Sequence, residues 1–227
     1  MDDTFRCRIV TWDEIATWAF GLGAKIRESD FDPDVIVGLT RGGWLPARLL
    51  CDLLAIKRLY AVKVEHWGVT AQPDGKARLV QGLTVDISEN RVLLVDDITD
   101  TGESLALAMQ HVAEASPSQL RSATVLHITH SKFTPDFYEV EVPKEEWAWF
   151  IFPWNLHEDL RTIVPKALDG TARPVAEIKD ALQSGFQLDL APDLIEDTLK
   201  ELAQAGTAGR KGDGYLLAPG TEGGSGP

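Results

Sequence analysis

The run Val92-Leu93-Leu94-Val95-Asp96-Asp97-Ile98-Thr99-Asp100-Thr101-Gly102-Glu103-Ser104 places chemistry at the end of an apolar strand. Four apolar residues lead into two adjacent carboxylates, then a turn rich in Thr and Gly, then helical periodicity. In an open parallel sheet, ligands collect beyond the carboxyl ends of the strands, where this turn falls. From Asp100 to Ser104 it offers successive backbone N–H groups and two hydroxyls ahead of a helix, which suits a phosphate dianion. Asp96 and Asp97 can accept hydrogen bonds from sugar hydroxyls or hold a hard divalent cation through water. Asp100, inside the turn, is placed for acid/base work. The plainer alternative is a strand–turn–helix in which Asp and Thr serve only as turn formers and caps. A nucleotide P-loop is excluded, because G-x-x-x-x-G-K-[ST] does not occur.

Such a turn needs a sheet to present it. Short β-branched runs at 35–39, 59–64, 92–95, 123–128 and 149–152 alternate with helical spacing at 44–54 and 104–114. That alternation predicts an α/β fold with a Rossmann-like parallel sheet. A first helix over 12–26 opens on the capping box Thr11-Trp12-Asp13-Glu14. Residues 68–82, with the turn signal Gln72-Pro73-Asp74-Gly75-Lys76, show no core pattern and are expected to form a long loop acting as a lid. After Pro165 the texture changes. Residues 174–183 and 192–204 read as two amphipathic helices, followed by Gly206, Gly209, Gly212, Gly214 and the short apolar run Tyr215-Leu216-Leu217. The expected organisation is a main domain over 1–165, a small winged-helix-like module over 166–217, and a flexible tail over 218–227.

Composition narrows the function classes. The chain has 227 residues, 44% hydrophobic and 25% charged, as ordinary globular proteins do. The most apolar stretch, 147–157, is about half of the roughly 20 residues that a spanning helix needs. The first residues, MDDTFRCR, do not read as a signal peptide. Cys7 and Cys51 fit neither a disulfide framework nor a zinc pattern, so two reduced thiols and a cytoplasmic location are expected. His127 and His130 are too few for a metal site, and Trp147 and Trp154 read as core residues. The formal charge of −13 opposes phosphate polymers and argues against a nucleic-acid partner. The second C-terminal helix carries Asp193, Glu196, Asp197 and Glu201 against Lys200 alone, the wrong sign for reading a DNA groove.

The run VDDITDTGES resembles the 5-phosphoribosyl-1-diphosphate (PRPP) binding motif of type I phosphoribosyltransferases. Upstream, Leu39-Thr40-Arg41-Gly42-Gly43-Trp44-Leu45-Pro46 is similar to the pyrophosphate loop of the family's 6-oxopurine branch, in which the Arg41–Gly42 peptide would be cis. His130-Ser131-Lys132 resembles the family's lysine turn, and Trp149-Phe150-Ile151-Phe152-Pro153-Trp154-Asn155 its aromatic base-binding segment. Asn155 stands where the family often has Asp.

The resemblance implies transfer of 5-phosphoribose from PRPP to N9 of hypoxanthine, guanine or xanthine, with Mg2+ as cofactor. Asp96, Asp97, Ile98, Thr99, Asp100, Thr101, Gly102, Glu103 and Ser104 would bind PRPP, with Asp96 and Asp97 also ordering the metal. Asp100 would be catalytic, taking the proton from purine N7. Arg41 and Gly42 would bind pyrophosphate, Lys132 would donate to O6, Trp149 would stack on the base, and the Phe150 backbone would meet the base edge. Arg78 is the candidate cation of the lid. A homodimer or higher homo-oligomer is implied, and no membrane partner. The competing readings are a PRPP-sensing regulator with little or no turnover, and an enzyme of the same fold acting on a pyrimidine or adenine.

Overall fold

The computed structural model describes residues 4–66 and 77–219. In chain order the elements are β1 (Cys7–Ile9), α1 (Trp12–Glu28), β2 (Val35–Thr40), α2 (Trp44–Leu53), β3 (Leu59–His66), β4 (Ala77–Gln81), β5 (Arg91–Thr99), α3 (Glu103–Ala113), β6 (Gln119–Ile128), β7 (Phe137–Val142), β8 (Trp149–Ile151), α4 (Leu156–Ile163), α5 (Val175–Phe186), α6 (Pro192–Gln204), β9 (Ala208–Lys211) and β10 (Gly214–Leu217). They form two compact units: Trp12–Trp147, and residues 4–11 with 148–219.

The larger unit is built on a six-stranded sheet of order β4-β3-β2-β5-β6-β7. All neighbours are parallel except β3 and β4. The central strands read as continuous apolar runs because both faces are covered. On one face Val35, Val37 and Leu39 of β2 join Val92 and Leu94 of β5 and Leu105, Ala108 and Val112 of α3 in one cluster. Ile36 and Leu93, which alternation turns to the opposite face, are equally buried. That side carries α1 and α2; a methyl at Gly38 would stand 3.1 Å from the Ala47 Cβ.

From β2 the chain moves outward to β3, and from β5 it moves the other way through β6 to β7. The switch point therefore lies between β2 and β5, paired from Val35↔Val92 to Gly38↔Val95, with both carboxyl ends at the same edge. β5 extends beyond the expected 92–95, because Asp96, Ile98 and Thr99 remain paired with Thr124, Leu126 and His127 of β6. The acidic pair thus sits on the strand and not in the turn.

Part of the expected lid is sheet. Residues 77–81 are the edge strand β4, in which Ala77 and Leu79 pack on the core while Arg78 is exposed. Residues 68–76 of that segment lie outside the described residues. β7, whose sequence FYEVEV alternates, closes the other edge.

The smaller unit joins the two ends of the chain. β8, expected as a strand of the main sheet, instead pairs in parallel with β1 through Cys7↔Trp149 and Ile9↔Ile151. Leu160 and Ile163 of α4 are buried with Ile178 and Leu182 of α5, Ile195 and Leu199 of α6, and Tyr215 of β10. The packing therefore divides the chain at 147/148, with residues 148–165 on the C-terminal side, whereas the sequence had suggested 165. After α5 and α6, β9 and β10 form an antiparallel hairpin, and Tyr215 pairs with Arg173. Ala218, in the expected tail, donates its N–H to Thr207 O at 3.0 Å; residues 220–227 lie outside the described residues. Among the described residues no helix is long and apolar enough to cross a membrane.

Two outcomes follow from this burial. Leu94→Ala, at a fully buried position of a central strand, is expected to cost about 2–5 kcal/mol in urea denaturation. Both cysteines are free and buried. Burial, helped by the Asp159 charge, pushes the Cys7 thiol up to about 12. Burial also raises Cys51, against the opposing pull of Arg48. Since the thiolate is the nucleophile, iodoacetamide at about pH 8 should leave both unmodified in the folded protein and alkylate both after denaturation, as read by mass spectrometry.

Candidate active site

At the switch point, the loop from β2 into α2 lies directly on the end of β5. A methyl at Gly43 would stand 2.6 Å from the Asp96 Cα and 2.8 Å from Leu39 O, and one at Gly42 would overlap the Asp97 carboxylate. Only glycines allow this approach, and it brings Gly42 against Asp97. The cis peptide here is Thr40–Arg41, one residue before the expected Arg41–Gly42 bond. It falls where β2 ends, at Thr40, whose hydroxyl donates to Val62 O at 3.0 Å. Arg41 is exposed at the head of the loop.

Asp96 and Asp97 are 9% and 8% exposed. The Asp97 N–H donates to Asp96 Oδ1 at 3.0 Å, and the Ile98 N–H to Asp97 Oδ1 at 2.9 Å. Burial first, and then the neighbouring Asp97 charge, push the Asp96 carboxyl well above the usual carboxylate range, while N–H donation from Asp97 and Gly43 pulls the other way. Among the described residues no cluster of three or more His, Cys, Asp or Glu could form a protein-only metal cage.

The next turn lines a cleft formed by residues 96–102, Ser104 and Leu105. Gly102 adopts φ +83°, and α3 starts immediately after it without a side-chain cap. Glu103, expected in the cradle, is the first helical residue and is exposed, its N–H reaching Thr101 Oγ1 at 3.4 Å. A methyl at Gly102 would stand 2.6 Å from Ser131 Oγ and 2.7 Å from the Phe133 Cβ. The Lys132 N–H donates to Thr101 O at 3.2 Å. Lys132, far away in sequence, is thus fastened to the acidic turn, with its side chain exposed.

Two residues that sequence reasoning did not place in the site meet Asp100. His130 Nε2 lies 2.7 Å from Asp100 Oδ1, and Trp147, expected in the core, is half-buried and donates its Nε1–H to the same oxygen at 3.3 Å. The available signal was the position of His130 just beyond a strand neighbouring the acidic one, with Thr99 opposite His127.

Trp149 and Phe150 belong to the smaller unit. Trp149 donates its Nε1–H to the buried Asp159 at 3.1 Å and meets Phe5 edge-on at 6.4 Å. Phe150 is buried, with the Arg8 guanidinium 5.6 Å from its ring centre. Asn155 caps α4, its carbonyl accepting from the Asp159 N–H at 2.9 Å. Arg78, on the far edge strand, faces Glu65 in register.

Comparison with known proteins matches residues 11–160 to the phosphoribosyl transferase domain family. The chain belongs to that family. It is 29% identical over 147 residues to a xanthine-guanine phosphoribosyltransferase of Chromohalobacter salexigens, covering 65% of this chain and 83% of that protein. Over 142 residues it is 30% identical to a hypoxanthine-guanine phosphoribosyltransferase of Aquifex aeolicus, covering 58% and 78%. Among solved structures, a purine phosphoribosyltransferase from Pyrococcus horikoshii superposes with a TM-score of 0.56 at 30% identity, over 68% of this chain and 94% of that one. As a phosphoribosyltransferase, the chain carries the family's α/β fold with a mostly parallel sheet, and the acidic turn lies within the matched residues.

The closeness of the two loops gives a stability test. Gly43→Ala is expected to cost about 1–3 kcal/mol by overpacking against backbone that cannot move aside. Gly170→Ala, with nothing within 4 Å of the added methyl, should stay within about 0.5 kcal/mol in the same denaturation experiment.

Proposed function

We propose that the protein transfers 5-phosphoribose from PRPP to N9 of a 6-oxopurine, releasing pyrophosphate. The observation that carries this reading is the junction at the switch point, where Gly42 of one loop lies on Asp97 of β5. The turn proposed as the phosphate cradle and the carboxylate pair line one cleft, and the loop proposed for pyrophosphate lies against that pair, an arrangement that suits a substrate with phosphate and pyrophosphate at its two ends. The names of the relatives support the purine as acceptor.

In the reaction, the bond between the sugar C1′ and the pyrophosphate oxygen breaks, and its electron pair leaves with pyrophosphate. The N9 lone pair of the purine forms the new bond, and the N7 proton passes to the Asp100 carboxylate and then to water. Residues 101–104 hold the 5′-phosphate through backbone N–H groups at the uncapped start of α3. Asp96 and Asp97 receive the ribose hydroxyls, and their charge favours the cationic sugar of the transition state. Arg41 and the adjoining loop take pyrophosphate. Lys132 donates to O6, and a mispaired 6-amino group there would cost on the order of 1–3 kcal/mol against adenine.

Magnesium suits this donor set. Two carboxylates are too few for a protein cage but sufficient for a cation that keeps waters and shares substrate oxygens. When bound, it would neutralise charge on the leaving pyrophosphate.

The test is nucleotide formation from PRPP and magnesium with hypoxanthine, guanine, xanthine, adenine and orotate in parallel. Turnover of one or more 6-oxopurines is expected, with kcat lowered about 100-fold or more in Asp100→Asn. PRPP binding without turnover of any base would overturn the enzyme reading in favour of a PRPP sensor.

A further inference from the structure

We infer that His130 and Trp147 are positioning residues for Asp100, fixing which of its two oxygens receives the purine proton; this rests on the role proposed for Asp100 above. An indole N–H can only donate. Nε2 of His130 stands 2.7 Å from Asp100 Oδ1, an ion-pair contact that a hydrogen on that nitrogen makes attractive. Both donors converge on Oδ1. Among the described residues the Asp100 side chain makes no other hydrogen bond, so Oδ2 is left as the open basic oxygen on a carboxylate 40% exposed.

The geometry matters because the terminal torsion of an aspartate is a broad, two-fold well. An untethered carboxylate would sweep both oxygens through the cleft, whereas two donors from different segments fix its plane. The turn that carries His130 is itself held in place. Ser131 N–H donates to Ile128 O at 3.0 Å and Lys132 N–H to Thr101 O at 3.2 Å, while Gly102 fits against Ser131 and Phe133. Trp147 closes a short turn with its N–H on Lys144 O at 3.2 Å. The donors therefore stand on backbone fixed before substrate arrives, which is what orientation of a base requires.

The experiment measures kcat and the KM for PRPP in His130→Leu, His130→Gln and Trp147→Phe, with wild type and Asp100→Asn alongside. Leu removes the donor, Gln returns an N–H of similar reach, and Phe keeps the ring of Trp147 without its N–H. The expected result is a kcat fall of roughly 10- to 100-fold for the Leu and Phe variants with KM within about threefold, and recovery in Gln to within about threefold of wild type. If His130→Leu fails to fold, the kcat–KM split in Trp147→Phe decides alone. The inference is overturned if the folded donor-less variants stay within about twofold of wild-type kcat, if they shift KM and not kcat, or if Gln is as slow as Leu. A slow Asp100→Asn beside unaffected His130 and Trp147 variants sinks only the positioning role. A wild type that forms no nucleotide from any base removes the reading beneath it as well.

Discussion

The site depends on how closely two backbones can approach at one edge of a sheet. The β2–α2 loop rests on the end of β5 with so little clearance that a methyl at Gly43 would overlap the Asp96 backbone. Asp96, Asp97 and the turn after them line the cleft, and the glycine loop lies against the two carboxylates. Since the loops leave from adjacent parallel strands whose continuations run in opposite directions across the sheet, neither needs a long excursion to reach the other.

The same approach removes water from the acidic pair. Two neighbouring carboxyls with less than a tenth of their surface exposed would be costly if both were ionised and unpaired. Backbone N–H groups of Gly43, Asp97 and Ile98 compensate in part.

Much of this was legible in the sequence because it is local. The acidic pair, the turn and the following helix lie within one contiguous run, and the apolar strands β2 and β5 declare themselves by composition. What was not legible depends on pairing. β4 has one face in solvent, with Arg78 exposed and Val80 half exposed, so it reads as a loop. β8 looks like any short apolar strand, and only its partner β1 assigns it to the smaller unit. The His130–Asp100 and Trp147–Asp100 contacts join residues on separate turns, and no spacing rule links them. The cis peptide, expected at Arg41–Gly42, lies one bond earlier, at Thr40–Arg41.

The parallel pairing of β1 with β8 also bears on the order in which the molecule is made. Residues 7–9 leave the ribosome well before their partner strand at 149–151, with more than half of the sequence between the two. The larger unit, contiguous from Trp12 to Trp147, can close while those first residues wait unpaired. Pairing these two strands closes a long loop, and the entropic cost of that closure falls on the smaller unit. Extending or trimming the N-terminus therefore acts first on the core of the C-terminal helices, at a strand whose Cys7 lies buried among them.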